Sequence, residues 1–291
     1  MKEKRLIWIL LIVSQIAFSQ TKGFVKDSLT GKPIPYVNIW VENENIGATS
    51  EENGAFEIKI SDTSKNLIFS VIGYETKKIS VSNFENIVLK PAIYQLENVV
   101  ISKLKNTKEI EVGGSKKRFY LPEPQTIPWI FGRKFTSDDS EVKYIKNIIY
   151  YTNSKVEKGV FRVRIYTILN NGIPYEDILS DELLVEVKKG KHKTIVDLLK
   201  YKIEIPKEGI VVAFESLLID QNKYMQKAMS IKPKKKTEQL NYSPHIMYFY
   251  DNNFDSFTFR AGKWAHFTKE YYDKYKEIKV IIPAIDLTLT N

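Results

Sequence analysis

Hydrophobic positions along this chain recur mostly at a spacing of two, in short runs bounded by Gly, Pro, Asn and Asp. Such runs predict β-strands, because successive side chains of an extended chain point to opposite faces. In the first hundred residues the pattern predicts strands over 22–26, 37–41, 55–60, 66–70, 77–81, 87–89 and 98–102. Phe56, Ile58 and Ile60 show the alternation most cleanly. Residues 27–31 predict a turn, since Gly31 can take positive φ without strain. Asn53-Gly54 predicts a tight hairpin, and Pro33 and Pro35 hold the connection between them extended. Short β-branched and aromatic runs separated by turn residues predict an all-β sandwich.

A second patterned region predicts strands over 142–152, 160–166, 183–188, 192–197, 203–205, 210–217, 246–250, 257–261, 263–268 and 279–282. The clearest is 160–166, where Phe161, Val163 and Ile165 face one way and Arg162, Arg164 and Tyr166 the other. Asn170-Asn171-Gly172 and Lys189-Gly190-Lys191 read as turns. Residues 269–276 are compatible with one short helix, with Tyr271, Tyr272 and Tyr275 partly sharing a side. Nine or ten strands imply a second sandwich, jelly-roll-like in type. Between the two regions the pattern fails. Lys103, Lys105, Lys108, Lys116, Lys117 and Arg118 gather there around Gly113-Gly114, and Pro122 and Pro124 follow. That stretch reads as a hydrated linker. The expected organisation is a leader at 1–19, a first sandwich at 20–103, a linker at 104–122 and a second sandwich at 123–291.

The first region carries Gly23-Phe24-Val25-Lys26-Asp27, Thr30-Gly31-Lys32-Pro33-Ile34-Pro35, Val37-Asn38-Ile39, Gly47-Ala48-Thr49-Ser50, Asn53-Gly54-Ala55-Phe56, Ser70-Val71-Ile72-Gly73-Tyr74-Glu75 and Leu96-Glu97-Asn98-Val99-Val100-Ile101. This succession resembles the carboxypeptidase regulatory-like domain of Bacteroidetes-type exported proteins. The resemblance implies a seven-stranded transthyretin-like sandwich that docks or braces, and it implies no reaction. The second region resembles, in 161–166, 177–179, 196–198 and 206–209, the part that follows this domain in uncharacterised exported proteins.

Lys2, Lys4 and Arg5, the apolar run 6–13 and Ala17-Phe18-Ser19 have the layout of a cleaved secretory signal, with Gln20 as first mature residue. A periplasmic or outer-membrane-associated location follows, with no transmembrane span after cleavage. The formal charge is +9, and about +7 remains after the leader. Such a charge attracts anionic envelope components, although dispersed lysines serve solubility equally well. An exported chain is not expected to meet nucleic acid.

The chain has no cysteine, hence no disulfide, no lipid-anchored cysteine and no thiolate chemistry. Its three histidines, His192, His245 and His266, are followed three residues later by Ile195, Tyr248 and Lys269. The His-x-x-Glu pair of zinc carboxypeptidases is therefore missing. Nucleophile elbows and phosphate loops are missing too. The acidic loop 251–255 offers oxygens from Asp251, Asn253 and Asp255 but lacks an EF-hand's glycine and distal Glu. That loop, Asp138-Asp139 and the pair Glu51-Glu52 read as solvated turns, and His245 as a packing or surface residue. Trp40 and Tyr74 read as packing residues, with sugar stacking as the rival for Trp40. The late aromatics Tyr242, Tyr248, Phe249, Tyr250, Phe254, Phe257, Phe259, Trp264 and Phe267 read as core, or as a carbohydrate platform if they share one face. No catalytic, cofactor-binding or metal-binding residue is assigned, and no cofactor is expected. The expected function is a non-enzymatic docking or binding module recognising an envelope polysaccharide or an outer-membrane protein partner. The alternative is a glycan-acting hydrolase using paired carboxylates in the second sandwich.

Overall fold

The computed structural model describes residues 20–60, 62, 64–83, 86–92, 107–121, 125, 127–137, 142–229, 236–251, 256–267 and 280–291. The expected leader at 1–19, the strand at 98–102, Asp138-Asp139, positions 252–255 of the acidic loop and the helix at 269–276 lie outside these residues. The described chain is built of strands, with three single-turn 3-10 helices and no α-helix among the described residues. No helix of the described residues is long and apolar enough to cross a membrane.

The first unit contains β1 (Gln20–Asp27), β2 (Asn38–Val41), β3 (Gly47–Thr49), β4 (Ala55–Lys59), β5 (Asn66–Ser70), β6 (Lys77–Ser80) and β7 (Asn86–Leu89). They form two sheets, ordered β4-β1-β7 and β3-β2-β5-β6. Val25, Phe56, Ile58, Ile87 and Leu89 of the first sheet pack on Ile39, Val41, Leu67 and Phe69 of the second. The alternation in β4 does what it predicts: Phe56 and Ile58 are buried while Glu57 and Lys59 are exposed. Asp27 closes the first turn by accepting from the Leu29 and Thr30 amides at 2.8 and 2.7 Å, and Gly31 has φ +68. The expected seven-stranded, all-β sandwich is present. One member differs, because β3 takes part and the strand expected at 98–102 is not described.

The second unit contains β8 (Glu109–Val112), β9 (Ile130–Phe135), β10 (Tyr144–Ser154), β11 (Gly159–Ile168), β12 (Pro174–Asp177), β13 (Leu184–Val187), β14 (Gly190–Asp197), β15 (Ile210–Ser216), β16 (Lys223–Met229), β17 (Lys236–Tyr242), β18 (His245–Ile246), β19 (Tyr248–Asp251), β20 (Ser256–Arg260), β21 (Lys263–His266), β22 (Val280–Pro283) and β23 (Ile285–Thr290). One sheet runs β14-β10-β23-β8 with β18 attached to β10. The other runs β12-β11-β15-β9-β20-β21 with β13 attached to β11. Ile145, Ile148, Leu287 and Leu289 of the one meet Phe131, Phe161, Val163 and Phe214 of the other in a shared core. Tyr150 crosses that core and donates to the Ala213 carbonyl at 2.9 Å. The strand expected at 203–205 is only an isolated bridge between Glu204 and Tyr144.

The stretch read as a linker is the largest departure. β8 pairs with β23 over four residue pairs, Val112↔Leu287 to Glu109↔Thr290. Beyond it, the Ser115 hydroxyl donates to Asp286 Oδ1 at 2.6 Å. Arg133 Nη1 lies 3.2 Å from the same oxygen and donates to the Ile285 carbonyl at 2.7 Å, while its Nη2 donates to the Gly113 carbonyl at 3.0 Å. The Arg118 guanidinium lies 3.8 Å from the centre of the Tyr151 ring. Lysine-rich sequence suggested hydration, but the alternating Ile110 and Val112 supply an edge strand. Thus 109–118 belongs to the second sandwich rather than to a free connection.

Breaking the buried pair at Asp286 leaves Arg133, among the described residues, with only the more distant Asp251, 4.0 Å away against 3.2 Å for Asp286. Asp286→Ala is expected to cost on the order of 3 kcal/mol of unfolding free energy, as loss of one partner of a buried pair does. It also releases 113–118, so trypsin should cut at Lys116, Lys117 or Arg118 faster than in the parent. Equal stability and equal cleavage rates would refute the assignment of this segment.

Candidate functional site

β11 is buried on both faces. Phe161, Val163 and Ile165 enter the second core, as the alternation demands. The opposite face presents Arg162, Arg164 and Tyr166, and the register with β15 sets Glu215 beside Arg162, Ala213 beside Arg164 and Val211 beside Tyr166. The first sandwich covers this face. Arg162 and Glu215 are fully buried, and Arg164 is 7% exposed.

Two guanidiniums bracket Glu215. Arg162 Nη1 donates to Glu215 Oε1 at 3.0 Å and Nε donates to Glu182 Oε1 at 3.0 Å. Its Nη2 donates to the Tyr36 carbonyl at 2.6 Å. Arg164 Nε lies 2.9 Å from Glu215 Oε2 and 3.2 Å from Asp177 Oδ2, and donates to the Tyr166 hydroxyl at 2.9 Å. From β2, the Asn38 side-chain amide donates to Glu215 Oε1. The first sandwich therefore contributes a donor and an acceptor to a charge cluster rooted in the second.

Burial without partners strongly disfavours a carboxylate's charged form. At Glu215 burial pushes the pKa up, but Arg162, Arg164 and the Asn38 amide outweigh it and hold the carboxyl below its ordinary range. At Asp177 burial wins: its pKa is raised despite the nearby Arg164 guanidinium.

Close approach of the two units depends on Gly47. A Cβ there would lie 2.7 Å from Pro128 Cδ and 2.8 Å from the Ile39 carbonyl. Trp40 meets Phe259 edge-to-face at 6.0 Å. The Leu218 amide donates to Thr49 Oγ1 at 3.0 Å, and the Asp220 amide to Glu51 Oε1 at 2.8 Å. Glu51, read from sequence as a solvated turn residue, thus accepts a backbone bond across the junction.

Beside the charge cluster lies a cleft of about 210 Å³. Trp40 and Tyr74 line it from the first unit, and Tyr166, Tyr175, Phe259 and Trp264 from the second. Its polar wall includes Asn38, Arg164 and Asp177. Arg164 Nε is engaged, but Nη1 is buried without an acceptor, and so is Trp40 Nε1. Tyr175, 66% exposed, stands at the mouth. The arrangement offers flat aromatic surface, an unpaired Arg164 donor and one carboxylate acceptor.

The other sequence candidates fall elsewhere. His245 is buried, with Nε2 3.0 Å from the Tyr224 hydroxyl, which is a packing role. His192 Nε2 lies 2.8 Å from the Lys189 carbonyl, and the His266 ring stacks on Phe257 at 4.1 Å. Asp251 sits 4.0 Å from Arg133. No cluster of three or more His, Asp or Glu able to hold a metal occurs among the described residues. Tyr74 packs as expected and donates to Asp27 Oδ2 at 2.8 Å, but it also lines the cleft. Sequence reasoning noted Arg162, Arg164 and Tyr166 as one strand face, placed Asn38 only within the motif Val37-Asn38-Ile39, and singled out neither Tyr175 nor Glu215.

The two-sheet first unit, with its turns at 27–31 and 53–54, has a counterpart among known families. Residues 21–101 match the CarboxypepD_reg-like domain. Separately, 130 residues are 32% identical to TonB-dependent receptor P3 of Formosa agariphila, covering 43% of this chain and 13% of the receptor. This chain therefore spans about an eighth of that relative's length. The solved cysteine protease and lectin-like domains of Cwp84, a surface-layer-associated protein of Clostridium difficile, are similar over 84% of this chain and 46% of theirs, with a TM-score of 0.37 and 10% identity. In this chain the CarboxypepD_reg-like domain supplies one wall of the cleft through Asn38, Trp40 and Tyr74.

Two outcomes follow from these environments. Glu215→Ala leaves two buried arginines short of their carboxylate and is expected to cost about 3–5 kcal/mol, read by denaturant unfolding. The charged Glu215 stabilises the fold above its ordinary pKa of 4.5, and that contribution is lost as pH falls through the lower folded value. His245 has the same sign for a different reason. Burial, with help from Lys155, depresses its pKa from 6.5 to about 4. Its neutral form stabilises fully above pH 6.5, and that stability drains away between 6.5 and about 4, by roughly 3 kcal/mol in total. Thermal unfolding against pH should show this slope in the parent and a flatter one in His245→Gln. Equal slopes would remove His245 from the account.

Proposed function

We propose that this chain is a non-enzymatic binding module of the cell envelope, with its ligand seated in the cleft between the CarboxypepD_reg-like domain and the second sandwich. The observation that carries the reading is the cleft wall: six aromatic side chains and a buried arginine with an unspent donor. Aromatic rings provide contact area at low entropic cost, and a buried donor without an acceptor is a group that a ligand can satisfy. The likeness to a TonB-dependent receptor supports an envelope setting, as does the layout of the first nineteen residues.

Glycan hydrolysis is the rival chemistry. It takes two carboxyl groups facing the scissile bond, about 5–9.5 Å apart. Asp177 is the one carboxylate in the wall among the described residues, and Glu215 is fully buried between two arginines. This distribution supports holding a ligand over cleaving it.

Purified protein should bind members of a glycan and peptide panel without turnover. Trp264→Ala should weaken that binding by about tenfold or more, the scale of one lost stacking surface. Turnover that vanishes in Asp177→Ala would replace the binding module with the hydrolase.

A further inference from the structure

The chemistry of the cleft narrows its ligand, a step that rests on the binding reading above. We propose that the cleft takes one or two rings of a neutral, polyhydroxylated sugar. The ring stacks against Trp264 and Tyr175, Arg164 donates to a hydroxyl oxygen, and Asp177 accepts from a neighbouring hydroxyl.

Size, charge and unspent hydrogen bonds converge on this class. A volume of about 210 Å³ is below the range of roughly 300–1,000 Å³ that houses drug-sized ligands. It suits a short terminus or a single unit of a longer chain passing the mouth. The charges around it are Arg162 and Arg164 against Glu182, Glu215 and Asp177. Carboxylates outnumber guanidiniums, and the wall contains no lysine among the described residues. An anionic sugar would bring further negative charge to Asp177. A cation would suit the aromatic faces but would meet Arg164, whose Nη1 has no acceptor. A purely apolar ligand would leave that donor unsatisfied. A hydroxyl both accepts and donates, so a vicinal diol answers a guanidinium and a carboxylate side by side. The general positive charge of the protein plays no part in this site.

The test titrates the full chain, followed by tryptophan fluorescence, with methyl glycosides of glucose, galactose and mannose, the matching uronates, and choline. At least one neutral glycoside should bind saturably, with its uronate and choline about tenfold weaker or worse. Raising salt from about 50 to about 500 mM should change its affinity less than twofold, because no ion pair forms. Arg164 is too buried to vary safely, so monodeoxy analogues test its donor from the ligand side. One deoxy position should cost about tenfold or more, as a site left with an unpaired polar group does. Tyr175→Ala, at an exposed position that folding tolerates, should weaken binding about fivefold or more. Preference for a uronate or for choline, sensitive to Trp264→Ala, overturns the neutral sugar and leaves the binding module standing. A neutral glycoside that binds Tyr175→Ala and Trp264→Ala as tightly as the parent overturns the location. Absence of any ligand whose binding responds to Trp264→Ala, here and in the wider panel, overturns both.

Discussion

Glu215 cannot be buried alone, and the geometry of the whole molecule is arranged around that fact. Its carboxylate sits on the outer face of β15 between Arg162 and Arg164. Without the first sandwich, this face would be a wet, charged sheet surface. With it, Asn38 donates to Glu215 and the Tyr36 carbonyl accepts from Arg162. Buried ion clusters add little net stability over apolar packing, but any misplacement leaves a desolvated charge unpaired. The cluster therefore acts on orientation: the two sandwiches are held where the Asn38 amide and the Tyr36 carbonyl match the ions of the second. The cleft is the space left beside that match, so its shape is inherited from the charge pairing.

Local patterning in the first sandwich was legible because its strands are short, alternate cleanly and are bounded by turn chemistry with fixed demands, as at Asp27-Gly31 and Asn53-Gly54. The second sandwich was legible where apolar residues dominate, as in β11 and β15. It was not legible in β9, whose Gly132, Arg133 and Lys134 resemble a connection. Their reasons are tertiary: a Cβ at Gly132 would lie 2.5 Å from Val211 Cγ1, and Arg133 is buried against Asp286. β16 and β17 are polar ribbons that pair only with each other among the described residues, so no hydrophobic period marks them. β8 was hidden by surrounding lysines.

For the site, sequence gave the facing of Arg162, Arg164 and Tyr166 but not what would cover them. The covering residue Asn38 lies 177 positions away from Glu215, and nothing local announces it. The aromatics were visible as a surplus. Their division was not: Phe257 is fully buried in a small cluster with Ile130, Tyr166, Val211 and Ala213, while Phe259 and Trp264, two strand positions or one hairpin away, pack on that cluster and reach the cleft wall. The CarboxypepD_reg-like domain also takes on a meaning that its own sequence does not state. Its expected role was docking or bracing, and here the docked face is itself part of a concave surface.

β23 follows every other strand described, yet it is interior to its sheet, bonded to β10 on one side and to β8 on the other. Neither neighbour is close to it in sequence. Until residues 285–290 are available, β10 and β8 have unpaired edges and the apolar inner face of the sheet lacks Ile285, Leu287 and Leu289. The order of synthesis is thus not the order of assembly. The sheet stays open and aggregation-exposed until 285–290 are made, and removing those few residues takes out the middle of a sheet.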